Sequence, residues 1–133
     1  EYVVNGTKMW ISNGTIADYI TTAVRTGGEG HRGISLIVVP ADSEGLTRRR
    51  LQKIGTHASD TAEIFFDDVR VPASNLVGEE NRGFGLIMGG FEGERLVLSV
   101  MACSQARMLF EEARRWGHDR QAFGQPPLGF QVW

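Results

Sequence analysis

Over residues 1 to about 78 the apolar positions fall in short runs divided by turn residues, which is the pattern of β-strands. Asn5-Gly6 and Asn13-Gly14 are hairpin-turn dipeptides, and Lys8-Met9-Trp10-Ile11-Ser12 between them is short enough to be one strand. Tyr19 to Val24 and Ile34 to Val39 are rich in β-branched residues and flank a glycine-rich loop, so the pattern reads on as a meander. Gly45 to Ile54 and Ala62 to Val71 are two further candidate strands, and Pro72 and Gly78 punctuate the exit.

From about residue 80 the period changes from two to helical. Phe84, Met88, Phe91, Leu98, Met101, Gln105 and Leu109 recur at three, four and seven, close to one stripe of a long helix. Leu96 to Cys103 is apolar almost all round, which predicts a helix covered on several sides, as inside a bundle. Trp116-Gly117-His118 falls near its end, and Gly124-Gln125-Pro126-Pro127 breaks the chain again. All-β followed by all-α predicts two partial domains, residues 1–78 and 79–133. The expected class is therefore α+β: part of an antiparallel β-barrel or sandwich, then the long helix of an up-down four-helix bundle.

Composition narrows the function classes. The 133 residues are 41% hydrophobic and 23% charged, an ordinary globular balance that excludes disorder. No apolar run reaches the roughly 18 residues of a membrane helix. Fourteen basic against sixteen acidic residues leave a net charge of -2, without the basic excess of an electrostatic nucleic-acid binder. The single Cys103 excludes an internal disulfide and reads as a small buried apolar group. The strand-like opening at Glu1-Tyr2-Val3-Val4 and the apolar end at Phe130 to Trp133 read as the ends of an excised piece.

Several motifs carry no chemistry. Gly28-Glu29-Gly30-His31-Arg32-Gly33 fits the dinucleotide fingerprint, but a strand follows where a helix is required, so it reads as a hairpin loop. Asn5-Gly6-Thr7 and Asn13-Gly14-Thr15 fit the glycosylation sequon, yet turn geometry explains them. His31, His57 and His118 lack paired metal-ligand spacing, so no metal is expected. Arg48-Arg49-Arg50 reads as a solvated strand face.

Two features remain. Phe91-Glu92-Gly93-Glu94-Arg95-Leu96 sets three charges at the entry of an apolar helix. Glu92 and Arg95 are neighbours at i, i+3, whereas Glu94 points to the opposite side. A desolvated carboxylate there would have a raised pKa and suit a general base near neutral pH; alternatively Glu94 meets Arg95 or another cation, or lies at a surface. In Trp10-Ile11-Ser12-Asn13-Gly14, strand alternation puts Trp10 and Ser12 on one face, where an aromatic beside a hydroxyl can hold a planar heterocycle. An ordinary half-buried strand with an exposed serine is the other reading.

In chain order, Lys8 to Gly14, then Ser59-Asp60-Thr61 leading to Phe66-Asp67-Asp68-Val69-Arg70-Val71-Pro72, then Glu94-Arg95-Leu96, then Arg120-Gln121-Ala122-Phe123-Gly124-Gln125 closely resemble the acyl-CoA dehydrogenase family. The resemblance runs over essentially all 133 residues, and four ordered motifs make it specific. It covers the second half of the family's middle β-domain and the first long helix of its C-terminal four-helix domain.

The resemblance implies an FAD-dependent oxidoreductase of fatty acid metabolism that converts acyl-CoA thioesters to trans-2-enoyl-CoA. Trp10, Ile11 and Ser12 would line the isoalloxazine, with the Ser12 hydroxyl placed to hydrogen-bond flavin N5. Arg120, Ala122 and Phe123 would reach the FAD of a neighbouring subunit, implying a homo-oligomer, a tetramer or dimer, and Phe130 and Gln131 match a further FAD-contacting pair. Glu92, Gly93, Glu94 and Arg95 match the stretch that contacts acyl-CoA. Most members carry the catalytic Glu late in the chain; isovaleryl- and long-chain acyl-CoA dehydrogenases place it just before Arg-Leu on this helix, which assigns the base to Glu94. Electron-transfer flavoprotein would be the acceptor. An acyl-CoA oxidase and a non-catalytic remnant of the fold are the alternatives. The compartment would be the bacterial cytoplasm, or the mitochondrial matrix in a eukaryote; twelve Arg to two Lys favours a bacterium. Thr56-His57-Ala58 departs from the family's usual arginine before Ser-Asp-Thr, and the loop from Gly27 to Gly33 is short.

Overall fold

The computed structural model describes residues 1–130. Six strands precede one long helix: β1 (Tyr2–Ser12), β2 (Tyr19–Arg25), β3 (Ile34–Pro40), β4 (Leu46–Arg50), β5 (Thr61–Val71), β6 (Leu76–Val77) and α1 (Gly83–Asp119). They form two three-stranded antiparallel sheets, ordered β1-β5-β4 and β2-β3-β6. Residues of both sheets share one core, in which Ile37, Val39, Ile64, Val69 and Val71 are fully buried beside Val4, Ile20 and Phe66. The expected α+β class and the sandwich form of its β-part are therefore found, and the ladders of the described strands do not close into a barrel.

Strand positions follow the alternation, most clearly in β3, where Ser35, Ile37 and Val39 point inward. Strand order does not: in place of the expected meander β1 pairs with β5, which divides the strands between two sheets whose apolar faces bury each other in one core. Asn5-Gly6 is no hairpin turn. It sits within β1, where the register shifts between Val4 and Gly6 and Gly6 takes φ 137°, a bulge that glycine accommodates. Gly28 to Gly33 is the β2–β3 hairpin loop that the sequence led us to expect, braced by the Arg25 guanidinium donating to the Gly28 and Gly30 carbonyls at 2.6 and 3.1 Å.

The chain divides into two compact units, Glu1–Ile87 and Met88–Trp133, and the division falls within α1. In the first, the start of α1 is tied to β3. Buried Ser35 accepts the Asn81 backbone N–H at 2.7 Å and shares a 2.6 Å hydrogen bond with Thr26, and Gly83 lies so close to Ser35 and Leu36 that a Cβ there would stand 2.7 Å from their backbone. In the second, α1 carries the ion pairs Glu111–Arg114 and Glu112–Arg115 at i, i+3. Its apolar stretch, expected to be covered on several sides, is exposed: Leu96, Val97, Leu98, Val100 and Met101 all face outward, and Cys103, expected to be buried, is exposed as well. Nothing among the described residues covers those faces.

Candidate active site

β1 ends in a bulge. Lys8 pairs with Ile64 and Ile11 with Ala62, so Met9 and Trp10 together face the single residue Glu63. Trp10 absorbs the extra residue with φ 63°, a left-handed conformation uncommon for a bulky side chain. The period-two count that put Trp10 and Ser12 on one face assumed regular strand, and the left-handed turn at Trp10 interrupts it. Trp10 is 67% exposed, Ile11 packs on the core and Ser12 is exposed opposite Thr61. The Ser12 hydroxyl makes no hydrogen bond among the described residues. Strained backbone of this kind concentrates at functional sites, where the surroundings over-determine it.

The surroundings do so here. Glu63, buried opposite the bulge, is ion-paired with Arg49 of β4, whose guanidinium lies 5.7 Å from the Phe65 ring centre. The turn after Ser12 is fixed by Asp60: the Asn13 N–H donates to the Asp60 carbonyl at 3.1 Å and the Thr15 N–H to its carboxylate at 2.7 Å. Sequence reading used Ser59-Asp60-Thr61 only as a signature and missed this structural part. An acidic residue at the entry of an otherwise apolar strand was the signal that could have found it.

On α1, Glu92, Gly93, Glu94 and Arg95 occupy consecutive helical positions and are all exposed. The burial invoked for a base at Glu94 is absent from this chain's own packing, and Glu92 and Arg95 do not come within 4 Å as an ion pair. The Arg95 carbonyl accepts the Ser99 hydroxyl at 2.8 Å.

Past α1, the Arg120 N–H donates to the Trp116 carbonyl at 2.9 Å and closes the helix. Ala122 and Gln125 exchange backbone hydrogen bonds at 3.0 and 3.2 Å around Phe123 (φ 51°) and Gly124 (φ 83°), so the pair forms a type I′ turn. This projects Phe123, 98% exposed, from the turn's tip, where it meets Phe130 edge-on with ring centres 6.4 Å apart. Gln131 lies outside the described residues.

In the first unit, the exposed Trp10 indole and the unengaged Ser12 hydroxyl suit a flat, hydrogen-bonding ring. The donor set fits an isoalloxazine, which offers a π-face and an acceptor nitrogen. No helix among the described residues is long and apolar enough to cross a membrane.

Fold and site together define a class: a β-sandwich with a bulged aromatic-hydroxyl edge, joined in sequence to a long-helix domain. Residues 1–69 match the middle domain of acyl-CoA dehydrogenases and residues 81–133 match their C-terminal domain; the chain belongs to the acyl-CoA dehydrogenase family. It is 42% identical over 131 residues to acyl-CoA dehydrogenase AFT10-1 of Alternaria alternata, covering 98% of this chain and 30% of that protein. It is 42% identical over 136 residues to the mitochondrial long-chain specific acyl-CoA dehydrogenase of Sus scrofa, covering 99% of this chain and 32% of that one. A crystal structure of a probable acyl CoA dehydrogenase from Mycobacterium abscessus superposes with a TM-score of 0.94 at 51% identity, over 98% of this chain and 35% of that one. The chain spans about a third of the length of the curated relatives it matches.

Proposed function

We propose that the protein is an FAD-dependent acyl-CoA dehydrogenase, with residues 1–78 as part of its middle β-domain and residues 79–133 as the start of its C-terminal helical domain. The observation that carries this reading is the ordered match of both segments to the two domains of one family. The reaction removes a proton and a hydride from adjacent carbons of an acyl-CoA thioester and yields the trans-2-enoyl-CoA. FAD, when bound, supplies the hydride acceptor.

This chain's own residues supply the rest. With FAD bound, the Ser12 hydroxyl would donate a hydrogen bond to flavin N5 and Trp10 and Ile11 would line the ring. Glu94 takes the proton from Cα, while Glu92, Gly93 and Arg95 line the acyl-CoA beside it. The resemblance of Glu94-Arg95-Leu96 to the isovaleryl- and long-chain arrangement is what supports Glu94 as the base. Arg120, Ala122 and Phe123 serve the FAD of a second subunit in a homo-oligomer, a role consistent with a phenylalanine held wholly exposed on a type I′ turn, and Phe130 and Gln131 form a further FAD-contacting pair. Electron-transfer flavoprotein is the acceptor, and the high Arg-to-Lys ratio favours a bacterial cytoplasm.

The test is Glu94→Gln in the full-length, FAD-loaded protein. Anaerobic bleaching of the flavin by acyl-CoA should slow by about 10²–10⁴-fold, the usual contribution of a positioned base. Bleaching near the wild-type rate would eliminate Glu94 from that role.

A further inference from the structure

The turn over residues 13–17 is held more firmly than an antiparallel ladder requires. From β5, Asp60 takes the Asn13 N–H on its carbonyl at 3.1 Å and the Thr15 N–H on Oδ2 at 2.7 Å. From the edge strand β4, the Arg48 guanidinium reaches back to the Ala17 carbonyl at 3.0 Å and the Gly14 carbonyl at 3.4 Å. Between these two grips Gly14 is buried so closely that a Cβ would stand 2.7 Å from the Ala62 Cβ and 3.0 Å from the Ile11 carbonyl.

Asp60 is an unusual choice for the task. Its side chain is only 9% exposed, and its Oδ1 is buried without a hydrogen-bond donor; Arg50 Nε stands 3.7 Å away. A carboxylate left half-satisfied in a core entrance is unfavourable unless its geometry serves something else. What it adjoins is the strained segment. Trp10 sits in a left-handed bulge with its ring in solvent, and Ser12 is exposed, so neither side chain is fixed by packing of its own. Between the ladder on one side and the clamped turn on the other, Trp10 to Ser12 has both ends set.

We propose that Asp60 and Arg48 are positioning residues for Trp10–Ser12: by locking residues 13–17 onto β4 and β5 they hold the Ser12 hydroxyl and the Trp10 ring in the one arrangement that receives the planar cofactor. The inference rests on the role given to Ser12 above. Neither residue touches the ring; both act through the turn, because a donor misplaced by about 1 Å loses most of its effect on a reacting centre.

The experiment uses the full-length FAD-loaded protein carrying Asp60→Ala, Asp60→Asn, Arg48→Met or Ser12→Ala, and the Asp60→Ala/Ser12→Ala pair. Two quantities are read: amide hydrogen exchange over residues 10–17 and the flavin midpoint potential. Asp60→Ala should speed exchange over residues 13–17 by about tenfold or more and displace the potential in the same direction as Ser12→Ala. Asp60→Asn, which keeps a carbonyl acceptor for Thr15, should restore most of the protection. The double variant should be displaced little beyond Ser12→Ala alone, since a clamp has nothing left to place once the hydroxyl is gone. If Asp60→Ala fails to fold, Arg48→Met, altered at an exposed side chain, must show the same exchange increase. Unchanged exchange in the folded variants, or displacements of the potential that add in full, would overturn the proposal. Should Ser12→Ala leave the potential where it was, the reading of Ser12 fails instead, and exchange over residues 10–17 alone decides whether Asp60 and Arg48 position the segment.

Discussion

The Thr15 backbone N–H holds the Asp60 carboxyl below the usual carboxylate range; the Thr15 side chain, Arg50 and Lys53 act in the same direction, and burial opposes them. A carboxyl with a depressed folded pKa contributes stability that is present above its unfolded value, about 3.9, and is lost as the pH falls through the folded value. Wild type should therefore be more stable than Asp60→Asn at neutral pH, and the gap between the two melting temperatures should close below about pH 4. Thermal unfolding of both proteins across that range checks the sign; a gap that stays constant or widens in acid would mean that the Asp60 charge is not the source. Asp60 also marks what was legible at this scale. The sequence displays it inside Ser59-Asp60-Thr61, but its partner is a backbone N–H 45 residues away, and an unmade backbone contact leaves no trace in residue types. Glu94 shows the reverse: wheel geometry singled it out, while the burial that the wheel assumed depends on surfaces the helix does not carry itself.

At the scale of elements, existence was easier to read than connection. β2, β3 and β5 stand within a residue or so of the β-branched runs that announced them, and α1 begins three residues past the change of period, since all of those signals are local. Strand order is not local, and a dipeptide such as Asn5-Gly6 is equally suited to a hairpin or to a bulge, both of which need a glycine with positive φ. The junction between β6 and α1 is set by space. Gly83 begins the helix against the Ser35 and Leu36 backbone, where an added Cβ would meet main-chain atoms that cannot swing aside. Gly83→Ala should cost about 1–3 kcal/mol, the usual penalty of overpacking, despite alanine's higher helix propensity. Denaturant unfolding measures it, with Gly85→Ala as the comparison: a Cβ at Gly85, on the same first turn, would meet nothing, so that change should be neutral or stabilising. Equal effects at the two glycines would show that propensity, and not the approach to β3, governs the junction.

For the molecule as a whole, the two units differ in how far each meets its own needs. The sandwich of Glu1–Ile87 buries a core of its own between its two sheets. The second unit does not: Leu96, Val97, Leu98, Val100, Met101, Met108, Leu109 and Phe110 are all exposed on α1, and Leu96 is 68% accessible. Contiguous apolar surface beyond a few hundred Å² is rare on a protein that stays monomeric. An isolated helix also gains most of its stability from packing that face and little from propensity alone. The 133-residue chain prepared by itself should consequently self-associate at micromolar concentration, bind a hydrophobic dye, and retain FAD far below one per chain. The two failures should be separable. Changing Leu98 and Met101 to Lys removes apolar area without touching Trp10, Ser12, Glu94 or Phe123, so it should reduce association and dye binding and leave FAD retention as poor as before. Sedimentation velocity and the flavin absorbance of the desalted chain read the two effects. A monodisperse monomer that binds no dye would contradict the exposure of α1, and a chain that retains FAD in full would contradict the weak retention expected of it.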